Sequence, residues 1–321
     1  MSQLPAPPSV DPYTRMRETG ENSFSIRAIQ IETSSICNFR CASCALSLAD
    51  YDRPEKHMSA EQFARVLAAF PDVEKIELQG LGEVFLNPQA VELVREAVRR
   101  GIQVHTFSNA SMLTRELAFK LVEAGLHTIN MSLDGADEAT FKRLRKGGTL
   151  PRYKRCFTHL WEAKAALGSA LPHLGVMSVL SKENYRQAPR MLAIAEELGA
   201  ETIIFTKLNG GHKADQIPLQ LGPEERAWLA ALPEYRGRVQ MMRAWTPWTF
   251  EERVSCYWPR HMAYVTVEGD VTACCNYFDS REQKFGNVFE KSGPEIWNDA
   301  PYREFRKRLM NGDLPDKCKT C

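Results

Sequence analysis

The sequence predicts an α/β fold with an open, curved sheet of parallel strands, for two reasons. First, short apolar runs bounded by turn residues alternate six times with longer amphipathic stretches between residues 25 and 210. Second, glycines such as Gly101 and Gly125 close the amphipathic stretches before the next apolar run begins. Six strand–helix units are too few for a closed eight-stranded barrel, but they are enough for an open one. In folds of this kind the chemistry gathers at the C-terminal ends of the strands.

The predicted strands and helices follow one another in regular order. The strands are short, and they cover residues 28–33, 75–79, 103–107, 128–133, 174–180 and 202–205. The helices carry an apolar residue every three or four positions, and they cover residues 59–70, 88–101, 114–125, 139–146, 151–167 and 187–199. Ser59 followed by Gln62 is a capping-box pattern, which predicts that the first helix begins at Ser59.

Composition places the chain among globular proteins and argues against several functions. It has 321 residues, 44% hydrophobic and 25% charged, which suits one large domain with or without a small one. The formal net charge of +1 argues against a dominant role in binding nucleic acid or a membrane surface. No apolar run approaches the roughly 20 residues of a membrane helix, and the N-terminal region lacks the apolar core of a signal peptide. We therefore expect a loose N-terminal arm over residues 1–24 and a reducing, cytoplasmic location.

Three cysteines, Cys37, Cys41 and Cys44, lie within eight residues just after the first predicted strand. Three thiolates on one short loop can ligate three irons of a four-iron cube, since thiolate is the usual ligand of iron–sulfur clusters. The fourth iron then stays open, and an open metal position can bind a substrate or cofactor. Zinc favours CxxC pairs and a fourth ligand, and a disulfide framework is unusual in a long chain without a secretory signal. The triplet therefore favours an iron–sulfur cluster.

Five of the nine cysteines fall in the last 66 residues, and they predict a second metal site. They are Cys256, Cys274, Cys275, Cys318 and Cys321. In the same region two short strand-like runs flank Glu268 and Gly269, which is a hairpin signal, and residues 294–310 predict a helix. A module of this size needs a cross-link that stabilises its fold, and four cysteines can provide one by binding zinc or an iron–sulfur cluster.

The motif CxxxCxxC after a first strand resembles the radical S-adenosylmethionine (SAM) superfamily. The resemblance implies a partial six-unit barrel, which agrees with the strand–helix pattern, and a [4Fe-4S] cluster held by Cys37, Cys41 and Cys44. It also implies that SAM chelates the open iron and that an electron from the cluster cleaves SAM to a 5′-deoxyadenosyl radical. The sequence departs from the family at Ser43, where an aromatic residue usually packs near the adenine of SAM.

The resemblance also implies SAM-binding residues at the ends of three strands. After the second strand, Gly82 and Glu83 resemble a glycine-rich motif in which the glycine lets the backbone approach the ligand and the carboxylate accepts from the SAM ammonium. The residues that match the family pattern after the third and fourth strands are Ser108, Asn109, Ser132 and Asp134. The alternative for Glu83 is a solvated side chain on a strand-exit turn, and Asp134 fits a turn former equally well.

The C-terminal region resembles the SPASM and twitch auxiliary-cluster domains of the same superfamily. The matching segments are Cys256, Gly269-x4-Cys274, residues 285–288 and 295–297, and Cys318-x2-Cys321. The resemblance implies a second [4Fe-4S] cluster on Cys256, Cys274, Cys318 and Cys321, with the choice between Cys274 and Cys275 left open. The predicted organisation is an arm (1–24), a radical SAM partial barrel (25–210), a linker or substrate-side segment with a helix over 221–232 (211–255), and an auxiliary-cluster domain (256–321).

The resemblance to twitch-type radical SAM dehydrogenases, together with two clusters in one chain, implies an enzyme that abstracts hydrogen from a small molecule, such as a sugar or cyclitol, and oxidises it by two electrons. The second cluster would accept the electron of the substrate radical. The proton would pass to His212 or to a carboxylate near the strand ends. A low-potential donor such as flavodoxin or ferredoxin would supply the first electron.

Three alternatives stay open. Radical epimerisation needs a thiol hydrogen donor, for which Cys156 and Cys275 are the candidates, although a lone cysteine in a helix is more often a small buried hydrophobe. Peptide or protein maturation is frequent among SPASM enzymes, but we expect no peptide-recognition domain before the first strand, which begins near Ser25. An iron–sulfur electron carrier or a zinc-binding interaction module would need neither the six-unit barrel nor the glycine-rich motif beside the triplet.

Overall fold

A computed structural model describes residues 11–47, 51–208 and 214–321 of the chain. In these residues one sheet has ten strands, in the order β10-β9-β8-β1-β2-β3-β4-β5-β6-β7. The strands are β1 (Ala28–Ile31), β2 (Lys75–Leu78), β3 (Gln103–Ser108), β4 (Thr128–Ser132), β5 (His173–Leu180), β6 (Thr202–Lys207), β7 (Gln240–Ala244), β8 (Met262–Val265), β9 (Asp270–Thr272) and β10 (Gly286–Asn287).

Eight neighbouring strands of this sheet, from β8 through β1 to β7, run parallel. A helix follows each of the strands β1 to β6 before the next parallel strand begins. The sheet stays open because β10 and β7 lie at its two edges. The predicted α/β fold with an open six-unit barrel and a small C-terminal region is therefore confirmed.

Strand β7 lies in the segment that we expected to be a linker. It pairs in parallel with β6, from Thr202 opposite Gln240 to Thr206 opposite Ala244. Four of its five residues are exposed and none is β-branched, so its sequence has neither alternation nor strong strand propensity. Pairing with β6, rather than local sequence, decides that this segment is a strand.

The helices of the barrel lie within a few residues of their predicted ranges. They are α2 (Ala60–Ala69), α3 (Ala90–Arg99), α4 (Arg115–Glu123), α5 (Glu138–Leu144), α6 (Leu150–Leu167), α7 (Ala188–Glu197) and α8 (Pro223–Ala230). The predicted capping box begins α2, because Ser59 Oγ accepts from the Gln62 N–H at 3.1 Å and Gln62 Oε1 accepts from the Ser59 N–H at 3.0 Å. Among the described residues, no helix combines the length and the apolar character needed to cross a lipid bilayer.

Residues 11–24 differ from the loose arm that we expected over residues 1–24, of which residues 1–10 lie outside the described residues. Residues Pro12–Thr19 form helix α1, which the Asp11 side chain caps. This helix packs against α12 (Ala300–Met310), and the buried Arg306 of α12 donates to the carbonyl of Gly20 at 2.8 Å. Contacts with a region almost 300 residues away along the sequence order this segment, and a local sequence pattern cannot report such contacts.

The C-terminal region continues the same sheet beyond β1. Strand β8 pairs in parallel with β1 and forms the predicted hairpin with β9. One hydrophobic cluster includes both Ile29 of β1 and Ile296 near the C-terminus, so sheet and core are continuous across residue 256. The domain boundaries stay a prediction. The short helices of this half are α9 (Phe250–Val254), α10 (Trp258–His261), α11 (Gly293–Asn298) and α13 (Asp316–Lys319).

The helix expected over residues 294–310 is two helices in the structure. Helix α11 ends before Asp299, which is extended, and α12 begins after it. Pro301 has no backbone N–H, and its ring would clash with the carbonyl of Trp297 if one helix ran through both. The apolar periodicity is continuous across the break, which explains why the sequence pattern predicts a single helix.

Candidate active site

A cavity of about 380 Å³ lies at the C-terminal ends of the barrel strands. Parallel strands end at the same edge of a sheet, so the residues that follow them come together there. The lining includes all three cysteines of the triplet and all six residues expected to bind SAM: Cys37, Cys41, Cys44, Gly82, Glu83, Ser108, Asn109, Ser132 and Asp134. The C-terminal region contributes Tyr264, Cys275 and Phe278 to the same lining.

The loop that carries the triplet is anchored to the end of α5. The backbone N–H groups of Arg40 and Ala42 donate to two carbonyls there, at 2.9 and 3.0 Å. Cys41 is buried, and Cys37 and Cys44 are half-buried at the cavity. The three thiols are therefore held on a fixed loop that has one face open to the cavity.

Hydrogen-bond donors surround the sulfur atoms of this loop. Cys37 Sγ accepts from the Phe39 N–H at 3.4 Å and from Asn109 Nδ2 at 3.7 Å, and Cys41 Sγ accepts from Arg145 Nη1 at 3.5 Å. Burial raises the pKa of the Cys37 thiol to about 11, so these donors and a bound metal would together stabilise the thiolate. Among the described residues, no three His, Cys, Asp or Glu side chains are close enough together to bind one metal ion. A four-iron cube does not need such an arrangement, because each thiolate binds a different iron. The donor set fits such a cube.

Glu83 is buried, with 3% of its surface exposed, so the solvated-turn alternative does not apply. Its Oε1 accepts from the Ser108 hydroxyl at 2.7 Å, and its Oε2 accepts from the Asn109 N–H at 2.8 Å. Burial raises the pKa of Glu83 above its ordinary value, although these hydrogen bonds lower it. A carboxylate has about four acceptor sites, so Glu83 retains the capacity to accept from a ligand ammonium.

The structure gives a reason for a glycine at position 82 that the sequence did not indicate. A Cβ atom at this position would lie 2.1 Å from the carbonyl oxygen of Ser34, and the next residue, Glu83, donates its N–H to the Ile36 carbonyl at 2.8 Å. The absence of a side chain therefore lets this loop approach the backbone that leads to the triplet. This close approach is within the protein, and the approach of Gly82 to the ligand stays a prediction.

Asp134 has two protein partners. Its Oδ1 accepts from the Val179 N–H at 2.8 Å, and its Oδ2 lies 2.7 Å from Nε of Arg145. Arg145, with 13% of its side chain exposed, reaches from Asp134 to the sulfur of Cys41. Ser132 is half-buried beside them. This arrangement favours a positioning role for Asp134, and it adds Arg145, which the sequence analysis missed because an arginine just after a helix has no distinguishing pattern.

The four cysteines expected to hold the second cluster also lie near one another. Burial, together with the neighbouring Cys256 and Cys321, raises the pKa of the Cys318 thiol to about 12. Burial, together with Cys275, Cys256 and Cys318, raises the pKa of Cys274. Cys256, Cys274 and Cys318 pack against the main hydrophobic core, whereas Cys275 is exposed and lines the cavity. Cys275 also lies near Cys321 and Cys256, so it is the packing of Cys274 against the core beside Cys256 and Cys318 that favours Cys274 as the ligand.

The model of the Radical SAM superfamily matches residues 31–195, which is just over half of the chain. The chain belongs to the radical SAM superfamily. The model of the SPASM iron–sulfur cluster-binding domain matches residues 256–321. The predicted family is confirmed, and with it the predicted cofactors, SAM and [4Fe-4S] clusters in both regions. The assignment of individual ligands and SAM contacts stays a prediction that the geometry above supports.

Two relatives of this radical SAM enzyme align over nearly its whole length. The tungsten-containing aldehyde ferredoxin oxidoreductase cofactor-modifying protein of Pyrococcus furiosus is 27% identical over 335 residues, covering 92% of this chain and 87% of the relative. The PqqA peptide cyclase of Streptomyces rochei is 26% identical over 301 residues, covering 91% and 80%. Among solved structures, SuiB of Streptococcus suis bound to the precursor peptide SuiA has a TM-score of 0.69 at 16% identity, covering 92% of this chain and 69% of SuiB. The similarity to SuiB shows that the two proteins share a fold.

The candidate catalytic residues of the radical SAM enzyme differ in their placement. Cys156 is 2% exposed, and its thiol donates to the Ala110 carbonyl at 3.0 Å and lies outside the cavity lining. Ala110 has a φ of 64°, which is unusual for alanine, so Cys156 helps to hold a strained turn beside Asn109. This favours a structural role for Cys156. Cys275 lies in the cavity, and His212 lies outside the described residues.

A buried ion-pair network beside the cavity was also missed. Glu32, directly after β1, is fully buried and pairs with Arg53, which in turn lies 2.7 Å from Oε2 of Glu268 in the C-terminal hairpin. Glu32 also accepts from the N–H groups of Leu81 and Val267, both at 3.2 Å. One carboxylate therefore joins the end of β1, the glycine-rich loop and the SPASM hairpin. The only sequence signal was a glutamate directly after an apolar strand.

Proposed function

We propose that this radical SAM enzyme modifies a peptide by removing two hydrogens and forming a bond within it. The observation that carries the proposal is similarity over more than nine tenths of the chain to PqqA peptide cyclases, 91% for Streptomyces rochei and 96% for Bradyrhizobium diazoefficiens. The cofactor-modifying relative of Pyrococcus furiosus supports a modifying reaction as well. The likeness in fold to SuiB, which binds a precursor peptide, is in agreement.

In this proposal the residues of the cavity bind and orient the cofactors. Cys37, Cys41 and Cys44 hold the first cluster, and Glu83 accepts from the ammonium of SAM. Bound SAM and the two clusters supply the hydrogen-abstracting radical and an acceptor for the second electron. The lining contributed by the SPASM region, including Cys275, faces the space in which the peptide would lie. The electron donor is a low-potential protein such as flavodoxin or ferredoxin.

The test compares two fractions of an extract from the source cells. The anaerobically reconstituted enzyme, SAM and a reductant are incubated either with the peptide fraction or with the fraction of metabolites below peptide size, and 5′-deoxyadenosine is measured. We expect the peptide fraction to stimulate 5′-deoxyadenosine formation, and prior digestion of that fraction with protease to remove the stimulation. Mass spectrometry then identifies peptides that have lost two hydrogens. A Cys37/Cys41/Cys44→Ala variant is the control for chemistry that does not depend on the first cluster.

A second candidate is the two-electron oxidation of a small molecule. The observation in its favour is the limited size of the cavity: its volume of about 380 Å³ must also hold the first cluster and SAM, and the space left beside them suits a small molecule. Stimulation by the metabolite fraction that survives protease would replace the peptide proposal with this one. Deuterium uptake from solvent without any loss of mass would instead support epimerisation, with Cys275 as the hydrogen donor.

A further inference from the structure

A second, smaller cavity of about 100 Å³ adjoins the main one. Lys207 and Leu208 line both cavities, so the two spaces lie side by side at the C-terminal end of β6. The other walls come from α8, from α9 and from the residues that follow β7 and α13. Five parts of the chain therefore build this cavity, which we call the cationic pocket.

Three positive side chains line the cationic pocket: Lys207, Arg226 and Arg253. They line one cavity of about 100 Å³, so their charges lie close enough to repel one another. Among the described residues, no carboxylate forms an ion pair with any of the three. Such a group of unpaired cations is an unfavourable arrangement for an empty pocket and a favourable one for an anion.

The polar groups of these side chains are only partly used within the protein. Arg226 Nη1 donates to the carbonyl of Leu221. Arg253 Nε is buried and has no hydrogen-bond partner among the described residues. Glu252 is the neighbour of Arg253 in the sequence, but its carboxylate accepts from the Thr249 N–H at 2.7 Å to cap α9. Donors of both guanidinium groups are therefore left for a ligand.

The remaining wall of the cationic pocket is rigid and apolar. Trp245 is 6% exposed and packs edge-on against Phe205, with 6.2 Å between the ring centroids. An apolar wall beside guanidinium groups suits a carboxylate on a short methylene stem, because arginine binds a carboxylate with two parallel hydrogen bonds while the stem packs on the ring. The small volume suits a side chain better than a whole ligand.

We propose that the cationic pocket binds the carboxylate of an acidic side chain of the substrate peptide, through Arg226, Arg253 and Lys207. The proposal rests on the peptide-modifying function and names a feature of its substrate. A carboxylate held there leaves the rest of the peptide in the main cavity, because Lys207 lines both spaces. The pocket thereby sets which part of the peptide faces the triplet.

The experiment measures binding of small probes to the reconstituted enzyme with SAM bound, by saturation-transfer NMR titration. The probes are N-acetylglutamic acid α-amide, its neutral isostere N-acetylglutamine amide, and inorganic phosphate. We expect the glutamate probe to bind about tenfold or more tightly than the glutamine probe, and Arg226→Gln and Arg253→Gln each to weaken its binding about tenfold. Arg238→Gln is the matched control, since Arg238 is exposed and outside the pocket, and it should leave binding unchanged.

Several outcomes would overturn the proposal. Equal binding of the glutamate and glutamine probes, or unchanged binding in both arginine variants, removes the carboxylate site. Tighter binding of phosphate assigns the pocket to a phosphate-bearing ligand. Because Cys321 also lines the pocket, iron content and cluster spectra are recorded for each variant. A changed second cluster with unchanged probe binding assigns the cations to that cluster. If the probe binds as expected but peptides fail to stimulate 5′-deoxyadenosine formation, the peptide function fails and the anion site stands.

Discussion

Arg145 donates a hydrogen bond to the sulfur of Cys41 at 3.5 Å, across 104 residues of sequence. The same guanidinium lies 2.7 Å from a carboxylate oxygen of Asp134, which holds it in place. Burial lowers the pKa of Arg145, but Asp134 and Cys41 more than offset this and raise it, so the group stays charged. A fixed positive charge beside a cluster ligand stabilises electron density on the sulfur and on the iron behind it.

The first prediction follows from this contact. Arg145→Gln removes the charge, so the reduced state of the first cluster loses stabilisation and its reduction potential becomes more negative. The measurement is a redox titration followed by electron paramagnetic resonance, without SAM, in a protein whose second cluster has been removed by Cys→Ser substitution. Asp134→Asn should shift the potential in the opposite direction, because it removes a negative charge near the cluster while Arg145 stays charged.

The matched control for this prediction is Arg143→Gln. Arg143 lies two residues earlier, at the end of α5, and pairs with Glu183 on the surface. Its removal changes the net charge by the same amount, but we expect no change in potential because water screens an exposed charge. Equal shifts in the two variants would show that net charge, rather than the contact with Cys41, sets the potential.

The second prediction concerns the choice between Cys274 and Cys275. The reconstituted protein should contain about eight irons for two four-iron clusters. Cys274→Ser should remove about four of them, because this thiol lies among Cys256 and Cys318, whereas Cys275→Ser should retain all eight. Iron and sulfide analysis with Mössbauer spectroscopy measures both. The reverse pattern would identify Cys275 as the ligand, and a Cys275 thiolate bound to iron could not act as a hydrogen donor in the cavity.

The sequence predicted the parts of the site that depend on local pattern. Strand-like runs, the triplet spacing and the residues that follow each strand are local features, and parallel pairing brings them to one edge. This is why residues as far apart as Cys37 and Ser132 were expected together and line one cavity. The six strands of the barrel were predicted for the same reason, since each lies between turn residues.

The rest depends on contacts between distant residues. Strand β7 is exposed and has no alternation, so only its pairing with β6 defines it. Arg53 and Glu32 are 21 residues apart and meet Glu268 from the opposite end of the chain. Nothing in the sequence around a charged residue distinguishes a buried partner from a solvated one. The cationic pocket was missed in the same way, because its three cations come from three separate elements.

The third prediction tests the link between the barrel and the SPASM hairpin. Arg53→Met leaves Glu32 fully buried without its cation, and removal of one partner of a buried ion pair costs about 3–5 kcal/mol. We expect a lower melting temperature and faster hydrogen exchange in residues 265–272. The double variant Glu32→Gln/Arg53→Met should recover part of the loss, because it removes the unpaired charge.

The control for this prediction is Arg281→Met. Arg281 pairs with Asp52 and Asp279, but its side chain is 55% exposed, so we expect a much smaller loss of stability than for Arg53→Met. Similar melting temperatures for the Arg53 and Arg281 variants would contradict a structural role for the buried pair. Faster exchange throughout the protein, rather than in the hairpin, would show that Arg53 stabilises the fold as a whole.

Three histidines stack at the other end of the strands from the cavity. His105 and His127 have 4.9 Å between their ring centroids, and His127 and His173 have 5.6 Å. Burial, with Lys75 and the other two histidines, lowers the pKa of His105 to about 4 from an ordinary value of 6.5. His105 is therefore neutral in the folded protein at pH values at which the unfolded chain is protonated.

The fourth prediction is a pH dependence of stability that arises from His105. Below pH 6.5 the unfolded chain takes up a proton that the folded protein does not, so stability is present above that pH and is lost as the pH falls towards 4. At pH 5 the difference amounts to about 2 kcal/mol. Melting temperatures of the reconstituted protein from pH 7.5 to 5 should therefore fall more for the wild type than for His105→Gln. The melting temperature of Lys75→Met should fall by an intermediate amount over this pH range, since the substitution removes one cause of the lowered pKa of His105. Parallel curves of melting temperature against pH for all three proteins would mean that another group causes the pH dependence.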